Sequence, residues 1–206
     1  MEKTLDSNLS LSFRLAILSL TLLGWLAIYF FVNRLQVNPE NRLDLGLDID
    51  RKIAFVPFFA LVYFSTYVFV VQPFFILSDA RQFTWMLVSF VAISVISSLI
   101  HAIVPSKIER VELVDTGGVS GKLLGVFQRT CKPYGNFPSM HVGLSVPVVA
   151  ANYVSGGAVA GNLMLAWAIL IALSTLYTKQ HYVLDVLAGV LGGLLIFGVT
   201  YALMIM

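Results

Sequence analysis

A histidine and a carboxylate stand four residues apart in a stretch that is otherwise almost free of charge. Beyond Lys132, the residues of the Asp, Glu, Lys and Arg types are Lys179 and Asp185, and His181 lies between them. On a helix, residues i and i+4 share one face, so Asp185 can accept the Nδ1 proton of His181. That bond leaves Nε2 of His181 as a nucleophile or general base. The alternative is a structural hydrogen bond that fixes a helix end.

A second histidine follows the segment Phe137-Pro138-Ser139-Met140, directly ahead of a long apolar run. Ser139 is a typical N-cap residue, and the backbone N–H groups after it would point out of the helix start. Such a terminus can bind a phosphate group and would place His141 beside it. Taken alone, the segment is more typical of simple helix capping. Together, the two histidines and the carboxylate match the needs of phosphoryl transfer through a phosphohistidine.

The composition predicts that these residues are positioned by membrane helices. Hydrophobic residues make up 58% of the 206 residues and charged residues 12%, about half of the roughly 25% usual in soluble domains. A water-soluble enzyme, a disordered chain and a nucleic-acid binder are therefore poor fits, and the net charge of +2 implies no polyanionic partner. The single cysteine, Cys131, excludes an intramolecular disulfide and a multi-cysteine metal site.

Runs without charged residues predict six membrane-spanning helices in one domain, residues 1–206. The fourth and fifth spans share one run and are divided by the glycines at 156, 157 and 161. Gly189 and Gly193 in the last span predict a close helix contact. The hydrophilic segments 34–52 and 105–140 lie on one side of the membrane by parity, and part of the active site belongs to the second. The runs are Leu15–Asn33, Ile53–Ser78, Gln82–Ser106, Pro133–Thr178 and Val186–Met206.

Both motifs together resemble those of the type 2 phosphatidic acid phosphatase superfamily. Pro138-Ser139-Met140-His141 is similar to its Pro-Ser-x-His motif, and Ser174-Thr175 with His181 and Asp185 is similar to Ser-Arg-x5-His-x3-Asp. The resemblance covers nearly the whole chain. The stretches 134–139 and 179–182 are most similar to the branch that includes inositol phosphorylceramide synthase-like enzymes.

Two departures from the family pattern concern its cationic residues. Thr175 stands where the second motif has Arg. The upstream Lys-x6-Arg-Pro motif is not intact: Lys122 and Arg129 keep the spacing, but Thr130 replaces the proline. Alternatively, the segment from Val104 to Arg110 is similar to the degenerate Pro-x-x-x-x-Arg version of that motif.

The resemblance implies a two-step mechanism. His181 attacks phosphorus while His141 protonates the leaving oxygen, and water or an acceptor hydroxyl then attacks the phosphohistidine. Asp185 holds the tautomer of His181. For the phosphoryl oxygens we expect Arg110, Lys132, Lys179 and the backbone donors near Ser139. We expect no metal and no cofactor, since three histidines and few acidic residues outside 34–52 form no convincing ligand set.

The predicted function is therefore a metal-independent integral membrane enzyme that hydrolyses a lipid phosphate or diphosphate. The alternative is a lipid phosphotransferase that moves a phospho-headgroup to a second lipid, and a third hypothesis is a non-enzymatic carrier with a proton-coupled His–Asp pair. The expected partners are the lipid phosphate and the surrounding membrane lipids, with no nucleic acid. We expect a multi-pass protein of the cell membrane with its site on the extracytoplasmic face, although the Lys and Arg counts do not decide the orientation. Substrate identity and oligomeric state stay open.

Overall fold

A computed structural model of the chain describes residues 8–35, 42–111 and 118–205. Residues 36–41 and 112–117, which belong to the two predicted hydrophilic segments, and Met206, the predicted end of the last span, lie outside the described residues. The described part is almost wholly helical. Its helices are α1 (Leu11–Leu35), α2 (Asp48–Lys52), α3 (Phe59–Val71), α4 (Pro73–Ile76), α5 (Ala80–Ile103), α6 (Gly118–Thr130), α7 (Met140–Tyr177) and α8 (Val183–Ile205).

A short parallel strand pair joins the two hydrophilic segments. Strand β1 (Leu43–Asp44) pairs with β2 (Ser106–Lys107), with Leu43 opposite Ser106. The predicted all-α polytopic membrane bundle is confirmed, because the helices provide long apolar segments and the described sheet has two residues in each strand. The pair holds the middle of the first hydrophilic segment against the start of the second.

Within the described residues, five helical segments are long and apolar enough to cross a membrane, against the six that the sequence predicts. The difference lies in one place: the predicted fourth and fifth spans form the single element α7. Only one residue interrupts it, so no loop separates the two halves. The five segments are Leu11–Val32, Phe59–Ile76, Ala80–Ile103, Met140–Tyr177 and Val183–Met204.

The interruption of α7 at Gly157 reverses the direction of the chain. Gly157 has φ 70° and ψ −168°, a conformation that only glycine adopts readily. A straight helix of 38 residues would be about 57 Å long, nearly twice the roughly 30 Å of the bilayer core. Val148 and Ile171, from opposite sides of Gly157, nevertheless share one hydrophobic cluster with Phe69. The two halves of α7 therefore run antiparallel.

The core of the bundle lies between α5 and the first half of α7. Leu144 and Ala151 of α7 pack against buried side chains of α4 and α5. Arg14 ties α1 to the same region, because its buried guanidinium donates to the main-chain oxygens of Phe74, Phe75 and Leu77. The side chains from α4, α5 and the turn between them are Phe74, Leu77, Phe83, Met86, Phe90 and Ile93.

Two glycines of α8 allow the start of α7 to approach its backbone directly. A Cβ added at Gly189 would lie 2.5 Å from Ser139 O, and one at Gly193 would lie 2.7 Å from Gly143 O. These distances leave no room for any side chain, which confirms the predicted close helix contact. The same contact sets the position of the segment that carries His141 relative to α8.

We predict that Gly193→Ala destabilises the bundle by about 1–3 kcal/mol, since the added methyl group forces two packed helices apart. The matched control is Gly192→Ala, because a Cβ at Gly192 would meet no atom within 4 Å. Thermal unfolding of the purified proteins in one detergent measures the difference. Equal unfolding midpoints for the two variants would contradict this description of the α7–α8 contact.

Candidate active site

The structure brings the two motif histidines into direct contact. His141 is the second residue of α7, and His181 lies in the turn between α7 and α8. Nε2 of His181 is 3.4 Å from Nδ1 of His141, and the ring centroids are 5.6 Å apart. If α7 were a straight helix, these two residues would lie at its opposite ends. The reversal at Gly157 therefore brings the two histidines into contact.

Asp185 faces the other ring nitrogen of His181. Its Oδ2 is 3.4 Å from Nδ1 of His181 and accepts the N–H of Tyr182 at 2.8 Å. The carboxylate is almost fully buried, and it lies in the first turn of α8, where the helix dipole favours a negative charge. The predicted His–Asp contact is thus formed, although His181 precedes the helix rather than lying within it.

Main-chain hydrogen bonds join the segment of His141 to that of His181 and fix the turn in which His181 lies. The N–H of Ser139 donates to the main-chain oxygen of Asp185 at 2.9 Å. The N–H of His181 donates to the main-chain oxygen of Thr175 at 3.1 Å. The Thr175 side chain is fully buried and donates to Ala172 O. Thr175 therefore supports the turn through its backbone and brings no charge to the site.

A cavity of about 100 Å³ opens beside the two imidazoles. It combines titratable groups with aromatic walls and includes the first two residues of α7. The helix start leaves its first N–H groups without partners inside the helix, so they can serve an anion in the cavity. The lining side chains include Trp25, Tyr63, His101, Arg110, Phe127, Lys132, Tyr134, Met140, His141 and His181.

Two of the expected phosphate ligands, Arg110 and Lys132, line this cavity. The guanidinium of Arg110 is held by the main chain: Nη1 donates to Cys131 O at 2.6 Å and Nη2 to Lys132 O at 3.2 Å. Burial lowers the pKa of Arg110 from its ordinary value, yet an arginine stays charged. Lys122 and Arg129 do not belong to the lining. The spatial arrangement thus favours Arg110 as a phosphate ligand over the Lys122 and Arg129 pair.

The structure does not bring Lys179 to the cavity. Its Nζ donates to the main-chain oxygens of Asp50 at 2.6 Å and Ile53 at 2.5 Å. The backbone of Lys179 has a positive φ of 53°, so the turn directs this side chain towards α2. The expectation that Lys179 binds phosphate is corrected accordingly: its ammonium joins the turn before His181 to the hydrophilic segment.

Ser139 occupies the predicted N-cap position but does not cap with its side chain. It is fully buried, and its Oγ is among the described buried polar atoms that have no hydrogen-bond partner. Close packing against Gly189 explains the burial, since α8 covers this residue. Its backbone, rather than its hydroxyl, serves the site through the bond to Asp185.

Asp50 supports the turn in a way that the sequence did not indicate. Its Oδ1 accepts the N–H of Val183, the first residue of α8, at 2.8 Å, and its Oδ2 accepts the N–H of Leu47 at 2.8 Å. Both bonds satisfy a carboxylate that is 6% exposed. No local signal separates Asp50 from the other charged residues of segment 34–52, because the contact joins residues 133 positions apart.

Two further cavity residues come from the spans. His101 donates from Nε2 to Pro138 O at 2.9 Å, so it braces the segment before His141 while lining the cavity. Tyr63 of α3 places its hydroxyl 3.3 Å from Nε2 of His141. A tyrosine inside an apolar run gives no functional signal in the sequence. In the described part of the chain, no group of three or more His, Cys, Asp or Glu side chains is arranged to hold a metal ion.

Comparison with known proteins connects this geometry to one family. A family model described as the PAP2 superfamily matches residues 26–199, a range that includes both histidines and Asp185. No curated protein and no solved structure matches the chain. The match extends over most of the 206 residues.

Proposed function

This chain belongs to the PAP2 superfamily, whose members are phosphatases, and from that premise we propose that it hydrolyses a lipid phosphate or diphosphate through a phosphohistidine. The observation that carries the proposal is the contact of 3.4 Å between Nε2 of His181 and Nδ1 of His141. A nucleophile and a proton donor must both reach one phosphoryl group, and this pair meets that requirement inside a cavity.

The first step forms a bond between phosphorus and Nε2 of His181 and breaks the bond from phosphorus to the lipid oxygen. His141, protonated on Nδ1, gives that proton to the leaving oxygen. Asp185 accepts a hydrogen bond from the Nδ1–H of His181, stays ionised and stabilises the positive charge that develops on the ring. A bound phosphoryl group would take the place of the direct contact between the two imidazoles.

The second step returns the enzyme to its starting state. Water attacks phosphorus, His141 takes a proton from it at Nδ1, and the bond from phosphorus to His181 breaks. If an acceptor hydroxyl takes the place of water, the same residues transfer the phospho-group instead. Arg110, Lys132 and the N–H groups at the start of α7 would neutralise the phosphoryl oxygens.

A lipid substrate is supported by a second cavity that lies next to the first. The two cavities share Trp25, Met140 and His141. The second cavity has a volume of about 70 Å³ and is lined mainly by apolar side chains such as Phe90 and Leu144. Burial of a lipid's hydrocarbon chain against such a wall lowers the free energy of binding, whereas a water-soluble phosphate ester has no such chain to bury. The extracytoplasmic position of the site and the resemblance to the inositol phosphorylceramide synthase-like branch stay predictions.

The decisive experiment traps the intermediate. Purified protein in EDTA, mixed with a lipid phosphate carrying radioactive phosphorus and quenched within a turnover, should hold label that is stable in alkali and lost in acid. His181→Ala should hold no label and lose roughly 10⁴-fold or more in turnover, since the nucleophile is gone. The same mixture with an acceptor alcohol measures transfer against hydrolysis.

His101→Gln is the control for the trapping experiment, because it changes a cavity histidine that this mechanism does not assign to phosphorus and keeps an N–H donor for Pro138 O. It should keep the label. Label that persists in His181→Ala, or activity that disappears in EDTA and returns with a divalent ion, would contradict the proposed mechanism.

A separate prediction distinguishes three lysines by their positions. Lys132→Ala should lower kcat/KM by the equivalent of about 2–4 kcal/mol, as removal of an oxyanion donor does, without changing the unfolding midpoint. Lys179→Ala should instead lower the midpoint, because two main-chain oxygens lose their donor.

Lys122→Ala is the control for Lys132→Ala and should cost less than about 1 kcal/mol, as exposed charges usually do. Steady-state kinetics on one lipid phosphate and thermal unfolding of each variant provide the two readouts. If Lys122→Ala lowers kcat/KM strongly and Lys132→Ala leaves it unchanged, the Lys-x6-Arg pair binds phosphate and the cavity lining does not.

A further inference from the structure

His141 has a second partner that belongs to neither motif. Its Nδ1 faces His181, and its Nε2 lies 3.3 Å from the hydroxyl of Tyr63. Both ring nitrogens of His181 likewise have a partner: Nε2 faces His141 and Nδ1 faces Asp185. The four side chains thus form one row, Tyr63–His141–His181–Asp185, with the reacting contact at its centre.

The position of Tyr63 is fixed by packing that does not depend on its hydroxyl. Its side chain is 1% exposed, and its ring contacts Phe127 edge to face with centroids 5.4 Å apart. Phe64 packs against the same ring at 5.4 Å, and His141 lies at 5.0 Å. A buried tyrosine hydroxyl needs a hydrogen-bond partner, and in this structure it has Nε2 of His141.

The orientation of a histidine that exchanges protons is set by the hydrogen bond at its other nitrogen. His141 must present Nδ1 to the leaving oxygen in the first step and to water in the second. In both steps the proton on Nε2 stays in place and needs an acceptor. The oxygen of Tyr63 is at the right distance to accept it, so the same bond holds the ring before and after proton transfer.

We propose that Tyr63 is the positioning residue of the general acid His141, an inference that rests on the proposed function. The two ends of the row differ in charge for a chemical reason. The carboxylate of Asp185 stabilises positive charge on His181, which carries the phosphoryl group. The uncharged hydroxyl of Tyr63 orients His141 without holding it in the protonated form, so His141 can give its proton away and take it back.

The test separates orientation of the acid from general damage by changing the leaving group. A long-chain alkyl phosphate leaves as a basic alkoxide and needs the proton, whereas nitrophenyl phosphate leaves as a weakly basic phenolate and does not. Tyr63→Phe removes one oxygen and keeps the ring. We expect its kcat/KM to fall roughly 10-fold to 100-fold on the alkyl phosphate, within the range of general acid catalysis, and to change little on nitrophenyl phosphate.

The quantity measured is the ratio of the two kcat/KM values on the same preparation, so it does not depend on how much of the variant folds. Tyr153→Phe is the control: it also removes a hydrogen-bonded tyrosine hydroxyl, 2.6 Å from Asn162 Oδ1, but at the distant reversal of α7. Its ratio should equal that of the unchanged protein. An equal loss on both substrates in Tyr63→Phe, or no loss, overturns the positioning role.

His141→Gln distinguishes failure of this inference from failure of the proposed function. If kcat/KM on the alkyl phosphate falls selectively in His141→Gln but not in Tyr63→Phe, His141 is the general acid and Tyr63 does not position it. If His141→Gln affects both substrates alike, His141 is not the general acid, and the role of Tyr63 is overturned with it.

Discussion

The reversal of α7 at Gly157 is the constraint on which the site depends. The helix start that carries His141 and the turn that carries His181 are separated by a helical element of 38 residues. They can contact each other only if that element returns to the face from which it set out. One glycine with a positive φ provides the return without a loop, and each half keeps about the length that a bilayer requires.

Once the chain has returned, backbone contacts rather than side chains hold the two helix starts together. Gly189 and Gly193 let α8 meet the main chain of α7, and the N–H of Ser139 donates to the main-chain oxygen of Asp185. Asp50 then fixes the first residue of α8 from the hydrophilic segment. The imidazoles therefore lie on segments whose main chains are fixed by close packing and by hydrogen bonds, an arrangement that suits catalysis requiring precise placement.

Those parts of the site that depend on near neighbours in the chain could be predicted from the sequence. The i and i+4 spacing of His181 and Asp185 and the helix start before His141 depend on neighbours in the chain. The direction of Lys179 could not be predicted, because it follows from a left-handed residue in the turn. Tyr63 could not be predicted either, since its role arises from a contact between α3 and α7. Apolar run lengths predict spans well because the bilayer fixes them, but they do not show whether two spans are separated by a loop or by one residue.

The central claim, that α7 crosses the membrane and returns, is tested most directly by labelling cysteines from one side. The single cysteine is changed first, as Cys131→Ser, and Arg129→Cys near the site or Ala158→Cys at the reversal is then added. Both positions are exposed. In sealed vesicles of known sidedness, a membrane-impermeant maleimide should react with one of the two variants from outside and with the other only after permeabilisation. Reaction of both variants from the same side would contradict the reversal, and with it the meeting of His141 and His181.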